Sequence, residues 1–394
     1  MRILFISSLY PNPRQPYANA HNRQLIAALA GHAEVRVIAP VPWFLRGGIP
    51  LRIVHNGIEV LHPAYWYTPR VLRHLHWKMY RASVVHVFLK TLKQWQPDHV
   101  ILGFAYPDAA ALAGSCRQTN VPYSVRVNGS DVLQRIKQPR FRRIVTQTLH
   151  EAPLVFCPGE SLRHAIIEAC ATDVEAGSSA AASRRIIAFR NGFDSALFYP
   201  LEQSHSNEGP RTILFVGNLQ PVKGADLLIP AFAQAFSDAD KNKESVRLVI
   251  IGDGRLRGML QWQAKQMRVT ERVEFRGPQP HAAVAEAMRH AACLCIPSRS
   301  EGMPNVVIEA LACGLPVAGS AAALAAFSVD KKQPPDGLYI ASDIIELPEA
   351  LRAATNSSIM RTEIARSVSG YTWDAAARCI WEEVAPRGER ERRA

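Results

Sequence analysis

Residues 298–317 place two carboxylates beside a helix start. The apolar run Ala292–Ile296 reads as a strand. Pro304 suits the first turn of a helix, where a missing N–H costs nothing. Gly314 suits the left-handed cap that ends one. Glu301 then lies in the loop after the strand and Glu309 on the following helix. The backbone N–H groups of Gly302, Met303, Pro304, Asn305 and Val306, less the proline's, surround the positive end of that helix, a seat for phosphate. Carboxylates are poor phosphate ligands but good acceptors for sugar and ribose hydroxyls. Diphosphate plus hydroxyls is the chemistry of a nucleotide sugar. Taken without its neighbours, the same pair fits an acidic loop and one solvated helix carboxylate.

Other strand-end loops offer matching groups. After a strand near Thr212–Val216 come Gly217 and Asn218, then Lys223-Gly224. Gly217 permits close backbone approach at the carboxyl end of a strand, where open α/β sheets bind ligands, and Lys223 is a point charge for a diphosphate. An ordinary strand–loop–helix turn with a solvated lysine fits this loop equally. Gly252-Asp253-Gly254 follows a second strand. Arg257 stands where a dinucleotide fingerprint needs its third glycine, which argues against a dehydrogenase. Phe275-Arg276-Gly277-Pro278 is a tight turn before a helix. In the first half, Asn128-Gly129-Ser130-Asp131 follows a buried strand. It can cap a helix from Val132, and Asn128 can hydrogen-bond a sugar hydroxyl without shuttling a proton.

These words together resemble the family 4 retaining glycosyltransferases. The resemblance rests on Glu301-Gly302-Met303-Pro304-Asn305, Glu309-Ala310-Leu311-Ala312-Cys313-Gly314 and Leu315-Pro316-Val317. Gly217-Asn218-Leu219 with Lys223-Gly224, and the Gly252-Asp253-Gly254 turn, add to it. It implies the GT-B fold, two Rossmann-like parallel-sheet domains facing a cleft. It implies that Glu309 binds the ribose, Glu301 the transferred sugar, and Lys223 with the amides of 303–306 the diphosphate. Gly217, Asn218, Gly252, Gly254 and Arg276 would complete the donor site, the last in a segment that reads the base. Asn128 and Asp131 would face the sugar from the other domain. The donor would be a UDP- or GDP-sugar, and no metal or other cofactor is expected. In a retaining front-face displacement the leaving diphosphate oxygen takes the acceptor proton. The acceptor would be a glycan or lipid-linked saccharide in cell-surface polysaccharide biosynthesis. A small soluble acceptor, or a binding module without turnover, are the rival readings. Three departures from the family pattern stand out: Asn128 where His is frequent, Ala18 where Gly is usual, and Asn218 where Arg is common.

Positioning such loops requires two series of strand–helix alternation, and both are visible. The first has strands at Ile3–Ile6, Glu34–Ile38, His99–Leu102, Tyr123–Val127, Leu154–Cys157 and Ile186–Phe189. The second has strands at Thr212–Val216, Arg247–Ile251, Val273–Phe275, Leu294–Ile296 and Val317–Ala318, with helices between them. Domains are expected over 1–198 and 199–370, with a helix near 371–385 returning to the first and a disordered charged tail at 386–394. Glu202–Pro210 reads as a linker, and Asp173–Arg185 and Asp330–Gly337 as loose loops. Asp238-Ala239-Asp240 matches a metal-binding pattern but falls in a polar connection and reads as a solvated turn.

The chain's 394 residues suffice for two cored domains, and its 48% hydrophobic content is that of a globular protein. The N-terminus reads as a first buried strand rather than a secretory signal. Seven scattered cysteines without ligand spacing fit a reducing cytosol. The net charge of +12 is one-sided: residues 1–195 hold 23 Lys+Arg against 11 Asp+Glu, whereas residues 196–394 balance. The densest basic parts are 70–93 and 135–143. Such a half fits an anionic membrane surface or simply a well-solvated face. No recognition module supports nucleic acid. The expected location is cytoplasmic, peripheral on the inner face of the cell membrane. The mixed basic and aromatic segment 71–82 forms no single apolar stripe, so it is expected either in part in the core or, as a surface segment, at the lipid headgroups.

Overall fold

The computed structural model describes all residues except 17–18, 69–71, 172–184, 202–209, 237–245, 329–333 and 387–394. Ala18, the Asp238/Asp240 pair, nearly all of the expected linker and both loose loops in large part, and the charged tail thus lie outside the described residues. Two compact units emerge, Met1–Arg190 with Trp373–Ala394, and Asn191–Thr372. The first crossing falls eight residues before the expected boundary, because Phe193, Leu197 and Phe198 pack into the second unit's core. Trp373, Ala376, Ala377, Ile380 and Trp381 instead join the core of the first unit. They share one face of the helix Trp373–Val384, at the spacing of a helical stripe.

The first unit is built on an eight-stranded sheet. From one edge its strands are Arg185–Phe189, Leu154–Pro158, Tyr123–Arg126, His99–Leu102, Arg2–Ile6, Glu34–Ile38, Ile58–Leu61 and Arg52–His55. All pairs are parallel except the last, a hairpin whose turn residues Asn56 and Gly57 have φ of 50° and 78°. That is the backbone of a type I′ turn, for which Asn-Gly is the favoured pair. His99–Leu102, Tyr123–Arg126 and Leu154–Pro158 are buried at every position, as parallel strands covered on both faces must be. A 20-residue helix, His76–Trp95, buries Tyr80, Val84, Phe88, Leu92 and Trp95 against this sheet. The segment 71–82, whose apolar positions form no single stripe, divides between core and surface: Tyr80 is fully buried and Trp77 packs on the core, while Leu72 stays half exposed. None of the described helices is long and apolar enough to cross a membrane.

The second unit holds six parallel strands in the order Val273–Gly277, Val246–Ile251, Arg211–Val216, Cys293–Ile296, Val317–Ser320, Leu338–Ala341. The chain starts in the middle of this sheet, builds outward through two strands, then returns to the other side of Arg211–Val216. Strand order therefore reverses between Arg211–Val216 and Cys293–Ile296. At such a reversal the loops leaving two adjacent strands diverge and open a crevice. The helix Asn305–Ala312 follows Pro304 and ends in a Schellman motif. There the Leu315 N–H donates to the Ala310 carbonyl at 2.9 Å and the Gly314 N–H to that of Leu311 at 2.8 Å.

Candidate functional site

The two loops that flank the reversal carry Lys223 and Glu301, and the structure brings these side chains together. The Lys223 Nζ donates to both Glu301 carboxylate oxygens, at 2.8 and 3.1 Å. The lysine is about one-third exposed and the glutamate more enclosed. Two supports missed from sequence hold the loops in register. Arg299 grips Asp226 through two 2.6 Å bonds and also donates to the Pro221 carbonyl. Its own N–H bonds the Val222 carbonyl at 2.8 Å. Gly224 sits at φ +63°, where a Cβ would lie 1.9 Å from the Pro297 carbonyl oxygen, so no other residue lets the two loops pass this closely.

Beside this pair begins the helix Asn305–Ala312, with no side-chain cap and no charged residue in its first turn. Its leading N–H groups have no partner within the helix, and the dipole makes this end positive. Gly302, Met303 and Pro304 are buried, Asn305 and Val306 half-buried. The turn is pinned by Asn191, from the segment opening this unit. Its side-chain amide donates to Asn305 Oδ1 at 2.7 Å, and its backbone N–H reaches the Met303 sulfur at 3.4 Å. Asn191-Gly192 could be read from sequence as a turn; that it braces the helix start could not.

Glu309 lies one turn into that helix and is 8% exposed. Burial alone pushes its carboxyl up to about 7. Among the described residues no donor or cation is bonded to it to offset that cost. A buried acid without a partner is costly when ionised, and a ligand bringing hydroxyl donors would relieve it.

The glycine turns line up along the same edge of the sheet. The Gly217 N–H donates to the Ile251 carbonyl at 3.0 Å, and the Gly252 N–H to that of Gly277 at 2.9 Å. A Cβ on Gly252 would fall 2.0 Å from the Gly217 oxygen, and one on Gly254 2.5 Å from that of Leu219. Asn218 is exposed at the loop tip. The Arg276 guanidinium is spent on Glu274, two residues back on the same strand face, at 2.8 and 3.1 Å.

In the first unit, Asp131 does not present its carboxylate outward. It is 1% exposed. One oxygen accepts from the Asn128 and Gly129 N–H groups, each at 3.0 Å, and the other from Ala105 at 2.9 Å. Burial raises its pKa and these amides oppose the rise. Asp131 therefore organises two strand-end loops. The Asn128 side-chain NH2 is enclosed without a hydrogen-bond partner. Arg126, also missed from sequence, is wholly buried, donates to Asn22 at 2.7 Å and is lowered by burial to about 10. Among the described residues no cluster of three or more metal-ligating side chains occurs.

Comparison with known proteins bears on the fold and the family. Residues 201–368 match the family model described as Glycosyl transferases group 1. A Bacillus subtilis protein named "Putative teichuronic acid biosynthesis glycosyltransferase TuaC" is 26% identical over 340 residues, 80% of each chain. D-inositol 3-phosphate glycosyltransferase of Segniliparus rotundus is 28% identical over 52% of this chain, and the match spans about half, 49%, of that relative. Among solved structures, sucrose-phosphate synthase from Thermosynechococcus elongatus superposes with a TM-score of 0.76 at 18% identity, covering 97% of this chain and 98% of that one. Anabaena Alr3699/HepE in complex with UDP-glucose gives 0.69 at 18% identity, covering 98% and 99%. The chain has the GT-B fold of these glycosyltransferases, and the match to the group 1 model lies in its C-terminal unit.

Proposed function

We propose that this protein is a retaining glycosyltransferase that takes a sugar from a UDP- or GDP-sugar. Its acceptor is a glycan or lipid-linked saccharide of the cell surface, met by the basic first unit at the inner membrane face. One observation carries the reading. Lys223, Glu301, the open start of Asn305–Ala312 and the uncompensated Glu309 gather at the strand-order reversal of a group 1 domain. In this reading the diphosphate takes Lys223 and the helix N–H groups. Glu301, released from its lysine, accepts from the sugar hydroxyls, and Glu309 accepts from the ribose. Charge developing on the leaving diphosphate is then stabilised by groups already in place. The neighbour solved with UDP-glucose supports a uridine donor.

The test is a thermal-shift panel of nucleotide sugars, followed by donor hydrolysis and, with acceptor, NMR of the product anomer. A melting rise with one UDP- or GDP-sugar and slow release of free nucleotide are expected. A binder that releases none is not an enzyme of this kind, and an inverted product rejects the retaining mechanism.

A further inference from the structure

The two most basic stretches of the first unit, far apart in sequence, form the walls of one cavity. It measures about 470 Å³, with Leu72, Arg73 and His74 on one side and Pro139, Arg140 and Phe141 on the other. Behind the Phe141 wall lies Arg135, its guanidinium 4.4 Å from the Phe141 ring centre and 5.5 Å from that of Tyr106. The Tyr106 hydroxyl donates to the Arg73 carbonyl and ties the walls together. Among the described residues, Arg73, Arg135 and Arg140 make no ion pair. Burial, then the neighbouring Arg73, lowers the Arg135 pKa, and Tyr106 and Asp131 oppose this. The 13-residue helix Pro139–Glu151 begins at the same wall, with no acidic residue in its first turn and no side-chain cap, so its dipole adds to the positive field. His76, held down to about 4 by burial and then by Arg135 and Arg73, stays neutral there. Like charges gathered without a counterion cost Coulomb energy, and an anion removes that cost.

Rings lead away from this cavity in unbroken contact. Phe141 meets Tyr106, Tyr106 meets His76, His76 meets Tyr67, and Tyr67 meets Phe44. Trp43 touches Phe44 and stacks on Trp66 at 4.6 Å. Trp43, Phe44 and Trp66 are 44%, 44% and 59% exposed. Large aromatic side chains open to solvent on a basic unit are the composition of a surface that meets a lipid interface.

We propose that this cavity binds the phosphate or diphosphate of an anionic amphiphile, whose apolar chain lies on the Trp43–Phe44–Trp66 patch. Given the glycosyltransferase reading on which this part rests, the amphiphile is the lipid-linked acceptor.

The test is calorimetric titration of the full chain with inorganic pyrophosphate, farnesyl diphosphate and farnesol. Titrations cover the wild type, Arg73→Gln, Arg135→Gln, Trp66→Ala and Lys223→Ala, each checked for an unchanged melting profile. Arg73 is exposed, so its variant keeps the fold even if Arg135→Gln does not. Farnesyl diphosphate should bind and farnesol should not. Each arginine change should weaken both diphosphates by about ten-fold or more, the size of a lost charge-assisted bond. Trp66→Ala should bring farnesyl diphosphate down toward pyrophosphate and leave the latter alone. No diphosphate binding to the folded wild type overturns the proposal. So does binding indifferent to Arg73→Gln and lost in Lys223→Ala, which belongs to the donor loops. Equal affinity for pyrophosphate and farnesyl diphosphate keeps the anion site and overturns the amphiphile. If diphosphates bind as expected while no nucleotide sugar does, the donor reading fails and this site stands.

Discussion

Replacing Glu309 by glutamine should make both stability and donor binding differ from wild type in a pH-dependent way. The Glu309 carboxyl is raised by burial from 4.5 to about 7. The gap is worth about 3 kcal/mol in the ionised state, at about 1.36 kcal/mol per pKa unit. A raised acid contributes stability that is fully present below its unfolded pKa and lost as pH rises through the folded one. Wild type should therefore weaken between about pH 4.5 and 7, whereas the neutral glutamine variant should not. At pH 5 the two should melt within a degree or two of each other. At pH 8 the variant should melt higher by several degrees, since 1 kcal/mol moves a domain of this size by about 2–4 °C. Nucleotide sugar binding should run the other way. Ribose hydroxyls donate to the carboxylate, so binding to wild type takes a proton off Glu309 and tightens from pH 5 to 8. The variant should bind more weakly at pH 8 and lose that slope. Differential scanning calorimetry at the two pH values, paired with titration of a nucleotide sugar whose phosphates do not titrate in this range, reads both. A melting difference that is the same at pH 5 and pH 8, together with an unchanged pH slope of binding, would refute the reasoning.

Lys223→Ala should weaken nucleotide sugar binding by about 1.5–3 kcal/mol and slow donor hydrolysis; wild-type affinity and rate would make it a surface lysine. Because Lys223 and Glu301 are bonded at 2.8 Å, Lys223→Ala and Glu301→Gln should be non-additive in a double-mutant cycle of donor affinity. Asp131→Asn should lower the melting temperature of the first unit, losing about 1–3 kcal/mol as an amide replaces the acceptor of three N–H groups; full stability with lost activity would instead make Asp131 a substrate contact. Donor hydrolysis should survive EDTA, since Lys223 and the helix N–H groups suffice to neutralise a diphosphate; loss on chelation and recovery with Mg²⁺ would bring Asp238 and Asp240 into the mechanism.

Much of the fold was legible because the signals are local. The strands Glu34–Ile38 and His99–Leu102 have the bounds their sequence pattern predicts, and the helix Asn305–Ala312 falls between Pro304 and Gly314 as those two residues predict. The Asn56-Gly57 turn is equally local, but the short strands it joins, Arg52–His55 and Ile58–Leu61, were missed from sequence. The helix His76–Trp95 is harder to see, because Lys78, Arg81, Lys90 and Lys93 interrupt the apolar residues that reach the core every three or four positions. Motif words likewise located Lys223, Glu301 and Glu309, since each sits at a fixed offset from a strand end. What each side chain faces depended on elements distant in sequence. That Lys223 meets Glu301 follows from the strand order, which brings two loops 78 residues apart to one crevice. Asp131 was expected to face the sugar; that its carboxylate accepts from three backbone amides, one from the distant loop at Ala105, was decided by the fold. The raised pKa of Glu309 exists only once the unit has packed around it. The basic stretches at 70–93 and 135–143 read from sequence as the densest parts of a basic half, facing an anionic membrane surface or simply solvent. Their convergence on one cavity was decided by tertiary structure, because burial and Coulomb energy depend on distance in space, which composition and periodicity do not encode.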